Sequence, residues 1–184
     1  MKELKSYIAE AFKINKNTKL ESKYKYFPKT KEELTYIIKK RIESEGNECD
    51  LNDIDTSKIK DMSGLFDRFT DFNGDISRWN VSNVTKMYYM FAHSKFNGDI
   101  SKWNVRNVKN MAGMFYASIF NSDISDWDVS NVKCMDLMFS DAKFNQDISK
   151  WKISDDCEVF SMLRNNYRED FAPFGLLDKM KKIN

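Results

Sequence analysis

Between Phe72 and Leu163 the chain says nearly the same thing four times. Phe72, Phe96, Phe120 and Phe144 each open a block, and the blocks follow one another at 24 residues without insertion. They read FNGDISRWNVSNVTKMYYMFAHSK, FNGDISKWNVRNVKNMAGMFYASI, FNSDISDWDVSNVKCMDLMFSDAK and FNQDISKWKISDDCEVFSMLRNNY. A fixed period of this length is the signature of stacked repeats, in which each unit buries its apolar face only against its neighbours.

Numbering each block from its phenylalanine, the apolar positions are 1, 5, 8, 10, 13, 16, 19 and 20. Positions 5, 8 and 10 spell I-x-x-W-x-V, which has the spacing of the strand motif in leucine-rich repeats. It predicts short parallel strands near 78–81, 102–105, 126–129 and 150–153. Positions 13, 16, 19 and 20 recur at three and four, which predicts one or two helical turns. Stacking puts like above like, so Trp79, Trp103, Trp127 and Trp151 should form a buried ladder, and the four phenylalanines another. A degenerate unit precedes the first block. Leu51, Ile54 and Thr56 match Ile76, Trp79 and Val81 at an offset of 25 residues. The fourth block decays at Asp156, Val159 and Leu163, as a closing unit should; Asp155 to Arg164 still reads as helical.

The polar invariants have structural readings. Asn73, Asn97, Asn121 and Asn145 suit local bonds to turn backbone. Asp75, Asp99, Asp123 and Asp147 suit caps on turn N–H groups. A calcium ladder is the competing reading, to which one carboxylate per coil supplies few of the several oxygen ligands that the ion takes. Asn83, Asn107, Asn131 and Asp155 form another turn-stabilising row.

Helical signals flank the array. Leu4, Ile8 and Phe12 give a short amphipathic pattern over Lys2 to Phe12. Thr30 and Glu33 form a capping box ahead of Leu34, Ile37, Ile38 and Ile42, and Gly46 is the stop. The spacing predicts a helix from Lys31 to Glu45, with the basic run Lys39 to Arg41 as a solvated end. After Pro173 and Gly175, the residues Leu176, Leu177 and Met180 predict a short closing helix. The organisation is a helical N-terminal cap over 1–47, a repeat array over 48–163 and a C-terminal cap over 164–184.

The blocks F-N-x-D-I-S-x-W-x-V-x-N-V-x-x-M-x-x-M-F resemble the BspA-like leucine-rich repeats of bacterial, including mycoplasma, surface proteins. The resemblance implies an α/β repeat: a right-handed, leucine-rich-repeat-like solenoid with short parallel strands and helical N- and C-terminal caps. It also implies an interaction role. Surface members carry signal or lipoprotein leaders. The N-terminus here, broken by Lys5, Glu10 and Lys13, reads as leaderless, like intracellular and phage-encoded versions.

Composition narrows the function. Thirty Lys and Arg against 28 Asp and Glu leave a net charge of +2, which argues against a nucleic-acid or anionic-membrane binder. No apolar run is long enough to span a bilayer. Three cysteines without CxxC spacing suggest neither a disulfide framework nor a zinc motif, and fit a cytoplasmic setting. His93 has no evident catalytic partner, and no phosphate loop or triad is present. The expectation is a non-enzymatic module without cofactor or metal that binds a protein partner. A phage-encoded inhibitor that blocks or sequesters a host protein is the alternative.

Outward positions 7, 9 and 11 are free to encode that partner. They supply Arg78, Asn80, Lys102, Asn104, Arg106, Asp126, Asp128, Lys150 and Lys152, alternating in sign. The competing face carries Tyr88, Tyr89, Tyr116 and Ile119, at positions the core does not require.

Overall fold

The computed structural model describes residues 23–163 and 169–181. The predicted amphipathic segment Lys2 to Phe12 lies outside the described residues. Helix α1 spans Lys31–Glu45, with the predicted ends. The Thr30 hydroxyl accepts from Glu33 N at 3.2 Å. Glu33 reaches back one residue further than a standard capping box, accepting from Lys29 N at 2.7 Å. Gly46, at φ +86°, closes the helix by donating its N–H to Ile42 O at 2.9 Å. Leu34, Ile37 and Ile38 are buried in the hydrophobic core that runs on through the repeats. Helix α2, Leu176–Lys181, follows Gly175; Leu176 is buried, and Leu177 and Met180 pack on the core.

Between these helices the repeats stack in the predicted register. Isolated parallel bridges join Asp61 to Lys86, Lys86 to Asn110, Asn110 to Cys134 and Cys134 to Glu158. The first offset is 25 and the others are 24, so the degenerate unit is a true coil with one residue inserted. The lead segment joins the stack through Tyr26 and Ile54.

The coils are not the strand-and-helix units expected. Among the described residues there is no β-strand, and the bridges between coils lie at position 15, outside the I-x-x-W-x-V motif. The structure is therefore not the strand-bearing α/β leucine-rich-repeat solenoid that the spacing predicts. Residues 77–78, 101–102, 125–126 and 149–150 turn, and so do 82–83, 106–107, 130–131 and 155–156. Too little extended chain remains between the turns for a ladder. The indoles take its place. Trp79, Trp103, Trp127 and Trp151 donate Nε1–H to the carbonyls of Leu51, Ile76, Ile100 and Ile124 at 2.9–3.1 Å.

The V-x-x-M-x-x-M-F segments are not helical either. They run as turns in which position 18 is left-handed in every coil: Gly64, Tyr89, Gly113, Leu137 and Ser161 have φ of +47° to +58°. One left-handed residue stops a right-handed helix. Instead, alternate N–H groups leave the coil. Met87, Tyr89, Phe91 and His93 donate to Asn110, Ala112, Met114 and Tyr116 of the next coil at 2.8–2.9 Å. The same row recurs from Met111, Gly113, Phe115 and Ala117 to Cys134, Asp136, Met138 and Ser140. In this run every donor points toward the C-terminal end of the stack and every acceptor toward the N-terminal end. At the N-terminal edge, Lys31 Nζ on α1 donates to Ser63 O at 2.6 Å.

Side chains lock the register. Trp79 and Trp103 stack at 6.4 Å between ring centroids, as do Trp127 and Trp151. Phe72, Phe96, Phe120 and Phe144 stack at 6.2–6.3 Å. A second phenylalanine ladder at position 20, Phe66, Phe91, Phe115 and Phe139, interleaves with the first at 4.0–4.7 Å. All eight of these phenylalanines are buried, and each of the four tryptophans is 4% exposed. Asparagines add a polar ladder. The Oδ1 atoms of Asn73, Asn97 and Asn121 accept from the backbone N–H of the asparagine one coil on, at 2.7–2.8 Å. These asparagines therefore bond between coils rather than locally.

Candidate interaction surface

An Asx-x-Ser turn at position 4 shapes the outward edge of each of the four blocks, and a second Asx turn follows in the first three. At position 4, Asp75, Asp99, Asp123 and Asp147 accept from the N–H of the serine two residues on, at 2.8–2.9 Å. The capping role read from sequence is correct. These bonds hold the carboxyls below the ordinary aspartate range: the Ser101 and Ser125 N–H groups act on Asp99 and Asp123, and the Ser149 hydroxyl on Asp147. A second turn recurs at position 9. Asn80, Asn104 and Asp128 accept from Ser82 N, Arg106 N and Ser130 N at 3.1–3.3 Å. The Ser130 hydroxyl and N–H keep the Asp128 carboxyl low. A further asparagine row braces these turns: Asn83, Asn107 and Asn131 donate Nδ2–H to Ser57, Ser82 and Arg106 carbonyls at 2.8–3.1 Å.

The backbone of this edge is thus the same in the first three blocks, and in the fourth, where Lys152 replaces the Asx, the second turn falls one residue later at 155–156; the outward side chains differ throughout. All nine residues named for the charged row, Arg78, Asn80, Lys102, Asn104, Arg106, Asp126, Asp128, Lys150 and Lys152, are exposed. They occupy turns and short extended pieces, not the strand face predicted. Within the row, Asn80, Asn104 and Asp128 cap turns, so they position the edge. Arg106 pairs loosely with Asp128 at 3.7 Å. Arg78 stands 3.6 Å from Asp50, on the rim of a cleft of about 260 Å³ lined also by Lys23, Lys25, Arg41, Asn52 and Asp53. Lys102, Asp126, Lys150 and Lys152 form no ion pair among the described residues.

The aromatic face is less free. Tyr88, Tyr89 and Ile119 are 39%, 41% and 48% exposed, and Tyr116 is half-buried. Tyr89 lies directly over Gly113, where an added Cβ would come within 2.3 Å of its ring. Tyr116 meets the exposed His93 ring edge to face at 5.2 Å. Phe160 continues this face at the last coil, 43% exposed, and escaped the sequence reading because its block is the most degenerate.

The basic run on α1 and two of the three cysteines are accounted for within the fold. The basic run on α1 is neutralised locally: Lys39 and Lys40 pair with Glu43, and Arg41 pairs with Glu45 at 2.6 Å and with Asp53 at 2.7 Å. Cys49 and Cys157 are buried. Burial pushes the Cys134 thiol up to about 11, so it is protonated at neutral pH. Among the described residues no helix is long and apolar enough to cross a membrane.

Residues 33–151 and 116–172 match the family described as Mycoplasma protein of unknown function, DUF285. The chain belongs to this family. It is the family of BspA-like mycoplasma surface repeats, so the resemblance read from the F-N-x-D-I-S blocks stands at the level of the family. The matched span begins within α1 and ends just before Pro173, so it takes in every coil. No curated protein and no solved structure matches the chain.

Proposed function

We propose that this DUF285 chain is a non-enzymatic protein–protein interaction module that docks a protein partner along its charged row. The observation that carries the reading is the contrast within each coil. The position-4 Asx-x-Ser turn repeats in all four blocks and the position-9 Asx turn in three, and the exposed residues they hold do not: Arg78, Lys102, Asp126 and Lys150 at position 7, and Arg106 among serines at position 11. A rigid edge presenting coil-specific charges is already ordered for docking and loses little entropy on binding. Alternating sign suits a protein partner better than a phosphate backbone. The aromatic face is the weaker candidate, because Tyr89 and Tyr116 already pack against residues of the adjacent coil, Gly113 and His93.

Lys102 and Asp126 suit the test, since both are exposed and neither holds a turn. With a partner captured from the native host, the Lys102→Glu, Asp126→Lys double variant should lose binding at an unchanged melting temperature. Retained binding by that variant, with loss in Tyr88→Ala and Tyr116→Ala, places the interface on the aromatic face. A phage-encoded, intracellular version of the family that blocks a host factor is the narrower form of this proposal. It requires the captured protein to lose its own activity when the complex forms.

A further inference from the structure

The coils serve as controls for one another at positions 15 and 17. In successive coils these positions hold Asp61 and Ser63, Lys86 and Tyr88, Asn110 and Ala112, Cys134 and Asp136, and Glu158 and Phe160. Position 15 is bridged to position 15 of the next coil, so each junction brings three side chains together. At the earlier junctions the trio includes a lysine, a tyrosine or an alanine. Only at Cys134, Asp136 and Glu158 are all three metal-binding types, and their ligand atoms lie within 4.8 Å of one another. Stacking alone does not call for this set, because neither position repeats its residue.

We infer that Cys134 Sγ and the Asp136 and Glu158 carboxylates form a divalent-cation site of the zinc class at this junction. One thiolate with two carboxylate oxygens suits Zn²⁺ and excludes Mg²⁺ and Ca²⁺, which take oxygen donors only. Three protein ligands leave a fourth tetrahedral position for water. The scaffold under the ligands is fixed. Cys134 O accepts from Met111 N at 2.8 Å and Glu158 O from Met135 N at 2.8 Å. Phe160 N–H donates to Asp136 Oδ1 at 2.6 Å, orienting that carboxylate and leaving Oδ2 for the metal. On binding, the sulfur–metal bond forms as the thiol proton passes to solvent.

The test uses the full chain in a reductant that does not chelate metals, titrated with Co²⁺ alone and then with Zn²⁺ alone. One Co²⁺ per chain should bind with a thiolate-to-cobalt charge-transfer band, and Zn²⁺ should displace it. Cys134→Ser should abolish the band, while Asp136→Asn and Glu158→Gln should each weaken Zn²⁺ binding at least about tenfold. No band, a band persisting in Cys134→Ser, or unchanged affinity in both carboxamide variants overturns the site. Should Cys134→Ser fail to fold, Glu158→Gln decides alone, because Glu158 is exposed and its loss leaves the core intact; wild-type affinity there overturns the proposal.

Discussion

Gly113 carries two constraints that its neighbours in the repeat carry singly. Its φ of +57° is shared with Gly64 at +58°, Tyr89 and Leu137, but only at Gly113 does a tyrosine ring also close the space a Cβ would occupy. At Gly64 an added Cβ meets nothing nearer than 3.6 Å. Gly64→Ala should therefore cost about 1 kcal/mol, the left-handed penalty alone. Gly113→Ala should cost more, about 2–3 kcal/mol, because Tyr89 must move. Urea denaturation of the two variants measures the difference; equal midpoints would show that the ring yields freely. The acid limb of stability is also set by single residues. Asp99, Asp123 and Asp147 have folded pKa values lowered by their serine partners. Their contribution is full above the unfolded value of about 3.9 and is lost as pH falls through the folded values. Asparagine still accepts the serine N–H but does not titrate. The triple Asp→Asn variant should thus show a shallower fall of melting temperature below about pH 4 than the parent. Parallel curves would refute this assignment.

The coil shows where spacing was informative and where it misled. Thr30 and Gly46 marked both ends of α1, because capping chemistry is local and visible in a few letters. The ladders were legible because a strict period places like side chains over like. Strands and helical turns were not, because apolar residues at spacings of three and four suit successive turns as well as a helix. A signal for the left-handed position did exist: Gly64 and Gly113 fall at the same place in their coils. It was masked by Tyr89, Leu137 and Ser161, which adopt that conformation under tertiary constraint. The turn-capping role of Asn80 and Asp128 was also readable, since N-V-S and D-V-S repeat the D-I-S motif that begins five residues earlier. The junction of Cys134, Asp136 and Glu158 was not readable, because it exists only once neighbouring coils are in register. The indoles offer the sharpest check on the coil. Trp103→Ala removes a buried ring and the donor to Ile76 O, and should cost about 3–5 kcal/mol. Trp103→Phe keeps a ring but loses the indole bond; Ile76 O still accepts from Trp79 N at 3.1 Å, so the cost should be only about 0.5–1.5 kcal/mol. Arg106→Ala, on the exposed row, should stay within about 0.5 kcal/mol. Thermal melts that rank these three in any other order would sink the account of the indole as a structural donor.

Across the whole molecule, the run from position 16 to position 22 gives the stack a direction. Along this run each coil offers donors to the coil after it and acceptors to the coil before it, and α1 meets the acceptor edge with the Lys31 ammonium. Any internal coil can therefore be duplicated or deleted as a 24-residue unit, since its two faces match those of every other coil. The ends have no such freedom. Along this run, a cap moved to the opposite end would set donor against donor or carbonyl against carbonyl. Gene-level change in such a chain can proceed by copying from the middle, lengthening the charged row one coil at a time while both termini keep their sequence.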